Sequence, residues 1–276
     1  MLNQSPDFPE FDDRTAAIWD SIAEWWDDRI GDGNATQDLL VEPSQERLLE
    51  LRPGERVLDI GCGAGRFTRR MATNDVSIIA IDQANVFLDI ARRRTAAASQ
   101  DVADRIDYRL VNATDNEAML ALGEGRFDAA VATMAIMDMA SITPMISALA
   151  KLLKPGGRFV WSITHPAFNS GTARLFAEEE YRDGELVQHY GVRVTDYLSV
   201  YEIEGLGIPG QPSPQYYFHR PVSLLFNACF EAGFMLDSME EPAIPPGNEN
   251  SGTNPLSWAR IHDVPQVLVA RMRLPG

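Results

Sequence analysis

Between about residues 55 and 164, short apolar runs alternate with stretches of helical period, and this alternation restricts the fold more than any other feature of the chain. The apolar runs are RVLDIG, VSIIAID, IDYRLVNA, RFDAAVATM and RFVWSITHP. Between them lie GRFTRRMATN, ANVFLDIARRRTAAASQ and SITPMISALAKLLKPGG. The last has Ser141 as a candidate cap, Pro144 in its first turns and a Pro-Gly-Gly stop. Strands separated by helical crossovers pair in parallel through right-handed connections. The expectation is an α/β fold with a doubly wound, mostly parallel sheet, its ligand site beyond the carboxyl ends of the strands. Further on, PVSLLFNACFEAGF reads as an amphipathic helix starting at Pro221, and FMLDSMEE and PQVLVARMRL as two strands able to pair antiparallel at the sheet edge.

Residues 165–220 break the rhythm. Nine of these 56 residues are aromatic against 24 of 276 in the chain, and six of the seven tyrosines are among them. Prolines 209, 212 and 214 mark irregular backbone. So long a departure in a compact domain usually serves function, as a lid or a binding insertion. The first fifty residues read as helical, carry Trp19, Trp25 and Trp26, and place Ile18, Ile22 and Trp25 on one face. The expected organisation is a helical cap over residues 1–50 and a main domain over 51–276, with 165–220 inserted as a substrate lid.

Composition excludes several classes of function. The net charge of −16 repels phosphate backbones and argues against nucleic acid as a partner. The acidic start, MLNQSPDFPEFDD, lacks the order of a secretory signal, and no apolar run reaches the roughly 18 residues of a membrane span. Cys62 and Cys229 have no framework around them and read as free thiols in a reducing cytoplasm. CxxC and HExxH are absent and the four histidines are scattered, so no metal site is expected.

The stretch VLDIGCGAGRF puts glycine at 61, 63 and 65, where a strand turns into a helix. A P-loop needs Gly-Lys-Ser/Thr after the turn, and Arg66-Phe67 stands there instead. The dinucleotide pattern GxGxxG wants a third glycine at the position of Arg66, so an NAD-type oxidoreductase is disfavoured. Asp82, 21 residues after Gly61, has the spacing of a ribose-binding carboxylate and suits any adenosine ligand. VLDIGCGAGRFTRRMA followed by VSIIAIDQANVFLDIARRR closely resembles the first two motifs of class I S-adenosylmethionine-dependent methyltransferases. LVNATD, RFDAAVATMAIMDM and LAKLLKPGGRFVWSI fit the later landmarks, so the resemblance runs over about residues 40–164. It implies a seven-stranded sheet with its last strand antiparallel and a methyl donor, S-adenosyl-L-methionine, lying across the strand ends. It further implies that Asp59 and the turn Gly61, Cys62, Gly63 and Gly65 face the methionine part of the donor. By the same resemblance Asp82, with Gln83 beside it, takes the ribose hydroxyls, Asn112 and Ala113 the adenine edge, and Thr133 and Met134 pass the methionine amine. Asn112 stands where many relatives have an acid, so it is expected to accept from the adenine amino group through its amide oxygen.

On the acceptor side the candidates are Asp138 after the fourth strand, His165 after the fifth, and His219 where YYFHRP leaves the aromatic insertion. Pro166 biases His165 to extended backbone, which is expected to set its imidazole at the mouth of the site as a general base. The aromatic insertion and the N-terminal tryptophans suggest a pocket for a small, largely apolar acceptor. Methylation of such a molecule on oxygen, nitrogen or carbon is the expected reaction. A protein of this fold using the donor for a different reaction, such as a cyclisation, is the alternative.

Overall fold

A computed structural model describes residues 5–31, 33–247 and 256–276. Its strands are β1 (Arg56–Ile60), β2 (Ser77–Asp82), β3 (Ile106–Leu110), β4 (Phe127–Thr133), β5 (Leu153–Thr164), β6 (Arg174–Arg182), β7 (Glu185–Arg193), β8 (Tyr201–Gly205), β9 (Gln215–His219), β10 (Met235–Glu240) and β11 (Val267–Arg273). The helices are α1 (Asp12–Ile30), α2 (Glu42–Leu49), α3 (Arg66–Ala72), α4 (Asn85–Ala96), α5 (Gln100–Ala103), α6 (Asn116–Leu120), α7 (Thr143–Leu152) and α8 (Val222–Glu231). Seven strands form one sheet in the order β10-β11-β5-β4-β1-β2-β3. Neighbours from β5 to β3 run parallel, and β11 is antiparallel to both β5 and β10. This is the doubly wound sheet that the alternation requires, with the antiparallel last strand.

Both faces of the sheet are covered, which is why its central strands are apolar at nearly every position. Side chains still alternate between the faces. Leu58, Ile60, Ile81, Ala130, Phe159 and Trp161 join α7 and α8 in one core. Val57, Ile78, Ala80, Val131 and Val160 join Leu48 and Leu49 of α2 and Phe67 and Met71 of α3 in the other. The N-terminal fifty residues therefore divide: α2 belongs to the sheet's own helical layer, and α1 alone lies over the strand ends. No helix among the described residues is long and apolar enough to cross a membrane.

Two local expectations are corrected. Ser141 does not cap α7; its hydroxyl donates to Asp12 Oδ2 at 3.0 Å. The N-terminus of α7 is held instead by Asp7 Oδ1, which accepts from the N–H groups of Ile142 and Thr143 at 2.8 and 3.1 Å. Residues 165–220 are also more regular than they read, because β6–β7 and β8–β9 are two antiparallel ribbons. β6 is exposed along most of its length, so no apolar face repeats at period two. The turn between β6 and β7 is Asp183-Gly184 with φ of 54° and 86°, the two-residue loop that an Asp-Gly pair favours.

Candidate active site

The site grows from the end of β1. The N–H groups of Gly61 and Cys62 both donate to Ile81 O, at 2.8 and 3.0 Å, and fold the chain sharply off the strand. Gly61, Gly63 and Gly65 have φ of 67°, 52° and 73°, which side chains rarely tolerate. They make room for different things. A Cβ on Gly61 would lie 2.8 Å from Ala135 Cβ, and one on Gly65 would lie 2.3 Å from the Tyr108 hydroxyl. A Cβ on Gly63 would meet no protein atom within 4 Å, so this glycine alone opens onto free space. Gly65, expected to face a ligand, instead gives way to Tyr108 and starts α3.

Asp82, at the end of β2, ties the turn in place. Its Oδ2 accepts from Gly63 N–H at 2.8 Å and its Oδ1 from Ala84 N–H at 2.9 Å. Burial raises its carboxyl above the ordinary range, and these backbone bonds oppose that shift. Asp59 is more deeply enclosed, at 1% exposure. Its Oδ2 accepts from the Thr68 hydroxyl at 2.6 Å, while its Oδ1 is buried with no hydrogen-bond partner among the described residues. Burial pushes the Asp59 carboxyl up to about 7; the Thr68 bond lowers it and neighbouring Asp82 adds to the rise.

Three cavities run in succession over the strand ends. The first, of about 160 Å³, is lined by Gly61, Gly63, Asp82, Gln83, Asn112, Ala113, Thr133, Met134 and Asp138, with Trp19 of α1 and Phe87 of α4. The second, of about 400 Å³, shares Gly61, Gly63, Thr133, Met134 and Asp138 and adds Asp59 and Cys62. Ten of the eleven residues named for the donor thus surround one continuous space, Gly65 being the exception. The third cavity, of about 490 Å³, lies between the end of β5 and the β8–β9 ribbon and shares Met137, Thr164, Asn169, Gly207 and Tyr217 with the second.

Several side chains differ from expectation in what they offer. Asn112 Oδ1 accepts from Thr114 N–H and Oγ1, at 2.9 and 3.0 Å, so the amide leaves its NH2 donors rather than its oxygen for a ligand. Thr133 donates to Gln45 Oε1 of α2 at 3.1 Å. Met134 has φ of 52°, and its N–H is held by Ser162 O and Oγ.

Among the acceptor candidates, Asp138 stands on the wall between the first and second cavities. Burial pushes its carboxyl well above the carboxylate range, opposed by a 3.4 Å hydrogen bond from Gln215 Nε2. Gln215 Oε1 accepts from Gln211 Nε2 at 3.0 Å, and Gln211 Oε1 accepts from Gly207 N–H at 2.9 Å. A chain of amides therefore connects Asp138 to the roof of the site. Tyr217, whose hydroxyl is pushed up by burial and then by Asp138, stands between the second and third cavities.

His165 is not at the mouth of the site, contrary to the sequence expectation. Its N–H pairs with Gln266 O at 2.8 Å, Nε2 bonds Glu241 Oε1 at 2.9 Å, and Nδ1 accepts from Ala167 N–H at 3.2 Å. With both ring nitrogens held and the ring 4.6 Å from Phe168, it locks the loop after β5 and lines none of the three cavities. His219 does line the third, but it donates from Nε2 to Tyr197 O at 2.9 Å and stacks on Tyr201 at 4.7 Å. It is a wall, distant in role from proton transfer. Sequence reasoning did not single out Trp19, Phe87, Gln211, Gln215 or Tyr217. Only the clustering of aromatic residues in two segments signalled any of them.

A model of the methyltransferase domain family matches residues 58–159. Over 160 residues the chain is 31% identical to a demethylmenaquinone methyltransferase of Symbiobacterium thermophilum, covering 57% of this chain and 61% of that protein. It is 33% identical over 141 residues to a ubiquinone biosynthesis O-methyltransferase of Xanthomonas axonopodis pv. citri, covering 50% and 55% respectively. The matches thus span little more than half the length of these curated relatives. A solved S-adenosylmethionine-dependent methyltransferase of Mesorhizobium loti shares the fold, with a TM-score of 0.62 and 24% identity over 88% of this chain and 99% of that one. The strand order, the glycine turn and the carboxylate ending β2 thus stand where the motifs assign them, residues 58–159 are similar to the methyltransferase domain family, and the chain has the fold of solved S-adenosylmethionine-dependent methyltransferases.

Proposed function

We propose that this protein binds S-adenosylmethionine across the first two cavities and methylates a small-molecule acceptor. The observation that carries the reading is Asp59: a buried carboxylate oxygen without a partner among the described residues, in the wall of a cavity and behind a glycine that opens onto it. An unpaired buried carboxylate is costly, and a ligand ammonium group relieves that cost. The methionine portion of the donor carries such a group. The donor also supplies an electrophilic methyl group on a positively charged sulfur.

The chain's own residues divide the remaining work. Asp82 keeps its bonds to Gly63 and Ala84 and still has lone pairs on both oxygens for the two ribose hydroxyls. The Asn112 NH2 suits a ring nitrogen of adenine, and Trp19 and Phe87, with centroids 6.1 Å apart, supply apolar walls for that base. Asp138 is placed to hold an acceptor hydroxyl and to take its proton; its raised pKa makes it the stronger base once ionised. α1 and the β8–β9 ribbon roof the space, since a Cβ on Gly207 would lie 2.7 Å from Trp26 and 2.6 Å from the Tyr217 hydroxyl. Exclusion of water and fixed orientation together lower such a barrier by as much as about 7–11 kcal/mol. This ribbon, rather than the exposed β6–β7 hairpin, is the part of residues 165–220 that we assign as substrate cover. Similarity to the ubiquinone biosynthesis O-methyltransferase supports an oxygen atom as the acceptor.

Calorimetry with S-adenosylhomocysteine tests the donor assignment. Asp82→Ala is expected to weaken binding by about 1.5–3 kcal/mol for each charged hydrogen bond lost. Unchanged affinity removes Asp82 from the site, and tight binding of NAD in place of the homocysteine product ends the reading. Incubation with methyl-labelled donor and a metabolite extract tests the reaction. Donor binding without label in any small molecule favours a non-methylating use of the donor, such as a cyclisation.

A further inference from the structure

Resting on the donor assignment above, we propose that the third cavity receives the body of the acceptor, and that this body is an uncharged, largely apolar aromatic molecule carrying the reactive hydroxyl. The cavity's position supports this, because it meets the second cavity along Met137, Gly207 and Tyr217, next to Asp138. An acceptor seated there reaches the junction without displacing anything from the glycine turn. At about 490 Å³ the space suits a molecule of drug-like size. Ile136, Ile163, Ile203, Leu206, Leu225 and Phe218 give its wall an apolar character.

The charged groups in that wall decide the class of ligand. Two side chains there are able to carry positive charge, Arg220 and His219, and neither is available. Arg220 donates to five backbone carbonyls: those of Pro6, Ile136, Phe218, Met139 and Ala140. The rings of Phe8 and Phe218 lie 5.5 and 5.6 Å from its guanidinium carbon. Burial pulls its pKa down to about 9, against the opposing pull of the Asp7 and Asp12 carboxylates. His219 has its Nε2–H on Tyr197 O and its ring on Tyr201, and burial lowers its pKa, so it is neutral near pH 7. A carboxylate or phosphate on the acceptor body would therefore be buried without a partner. Among the described residues no aspartate or glutamate lines this cavity either, so a cationic body finds no counter-charge among them. The carboxylates of Asp138 and Asp59 line the second cavity, at the junction and on the donor side. Ser170 Oγ is buried in the wall without a hydrogen-bond partner among the described residues, which leaves one neutral polar contact for a second substituent on the ring.

Three matched probes test the proposal: para-hexylphenol, the same phenol ending in a carboxylate, and the same phenol ending in an ammonium. Affinities are measured by calorimetry with and without saturating S-adenosylhomocysteine, on wild type, on Leu225→Trp and on Ile203→Trp. Leu225→Trp fills the cavity from α8; Ile203→Trp fills it from the ribbon, should the first variant fold poorly. The neutral phenol is expected to bind about tenfold or more tighter than either charged probe. Each folded variant is expected to lose about tenfold or more for the phenol while keeping its affinity for S-adenosylhomocysteine. Equal or tighter binding of a charged probe overturns the assigned class. Failure of the phenol to bind wild type, or unchanged phenol affinity in the folded variants, overturns the cavity assignment. A wild-type protein that binds the phenol but not S-adenosylhomocysteine overturns the donor reading, and with it the role of the bound phenol as a methyl acceptor.

Discussion

The glycine turn and the β8–β9 ribbon bound the same continuous space, yet they are held by different means. Asp59 lies in β1 between Ala80 of β2 and Val131 of β4, and Asp82 ends β2 opposite Leu110 of β3. These carboxylates are fixed by main-chain ladders on strands buried in the sheet. The ribbon pairs only with itself. Side chains attach it: Arg220 beyond its end, Phe8 5.1 Å from Phe218, Phe11 4.9 Å from Tyr216, and the amides of Gln211 and Gln215. Main-chain pairing resists single substitutions, because no one side chain carries it. Attachment through side chains concentrates the dependence on a few residues. The donor half of the site is thus the sturdier one, and the acceptor half the more easily altered.

The largest expected effect falls on the attachment. Arg220→Leu removes a buried donor from five carbonyls, of which Ile136 O and Ala140 O keep the N–H groups of Met139 and Phe8, and should destabilise the protein by about 3–5 kcal/mol in urea denaturation. If the two halves are as separable as their construction indicates, protein that remains folded keeps its affinity for S-adenosylhomocysteine. A loss below about 1 kcal/mol, within the range of an ordinary substitution, would show that Arg220 is not the tie. Next comes Gly63→Val, which combines a positive φ with a side chain directed into the first two cavities. Donor affinity should fall by about a hundredfold or more, near 3 kcal/mol. Gly65→Ala is its control: it presses on Tyr108 and should cost about 1–3 kcal/mol of stability with donor affinity retained in calorimetry. Equal effects of the two on binding would erase the distinction between the glycines.

The smallest effect concerns pH. The folded protein holds the Asp59 proton up to about 7, whereas the ordinary value is 3.8. Between those values the folded state binds more protons than the unfolded one, so this group's contribution to stability falls as pH rises. An ammonium ligand favours the carboxylate, so donor binding releases a proton below about pH 7. Affinity should rise by no more than about tenfold per pH unit up to that point and then level off. Calorimetry in buffers of different ionisation heat measures the released proton. Asp59→Asn should abolish it, and a proton release that persists in this variant would assign it elsewhere.

The same division governs what was readable in the sequence. The sheet, the turn and the place of Asp82 follow from local period and spacing, because neighbours in the chain decide them. Gly61, Gly63 and Gly65 look alike in sequence, and only their surroundings (Ala135, open space and Tyr108) separate them. His165 was placed correctly at the end of β5, but its ring follows Glu241, 76 residues further on. Asp7 caps a helix 135 residues away, and no local pattern announces that. Gln211 and Gln215 are neutral polar residues in a proline-rich loop, and their chemistry exists only once Asp138 is beside them. The Asp183-Gly184 pair went unread as a turn because the glutamates Glu178, Glu179 and Glu180 hide the strand before it.

The Arg220 staple has a further consequence, for inheritance. Its reach to Pro6 joins an N-terminal arm to an insertion more than two hundred residues later, with five of the sheet's seven strands lying between them in sequence. Phe8 and Phe11 pack on the same ribbon, and Asp7 and Phe8 also grip the segment before α7. A recombination event that exchanged residues 165–220 between two relatives would bring in a ribbon whose anchor had stayed behind. Acceptor range in such proteins should therefore change most freely when both segments are exchanged together, two distant stretches of the gene behaving as one heritable part.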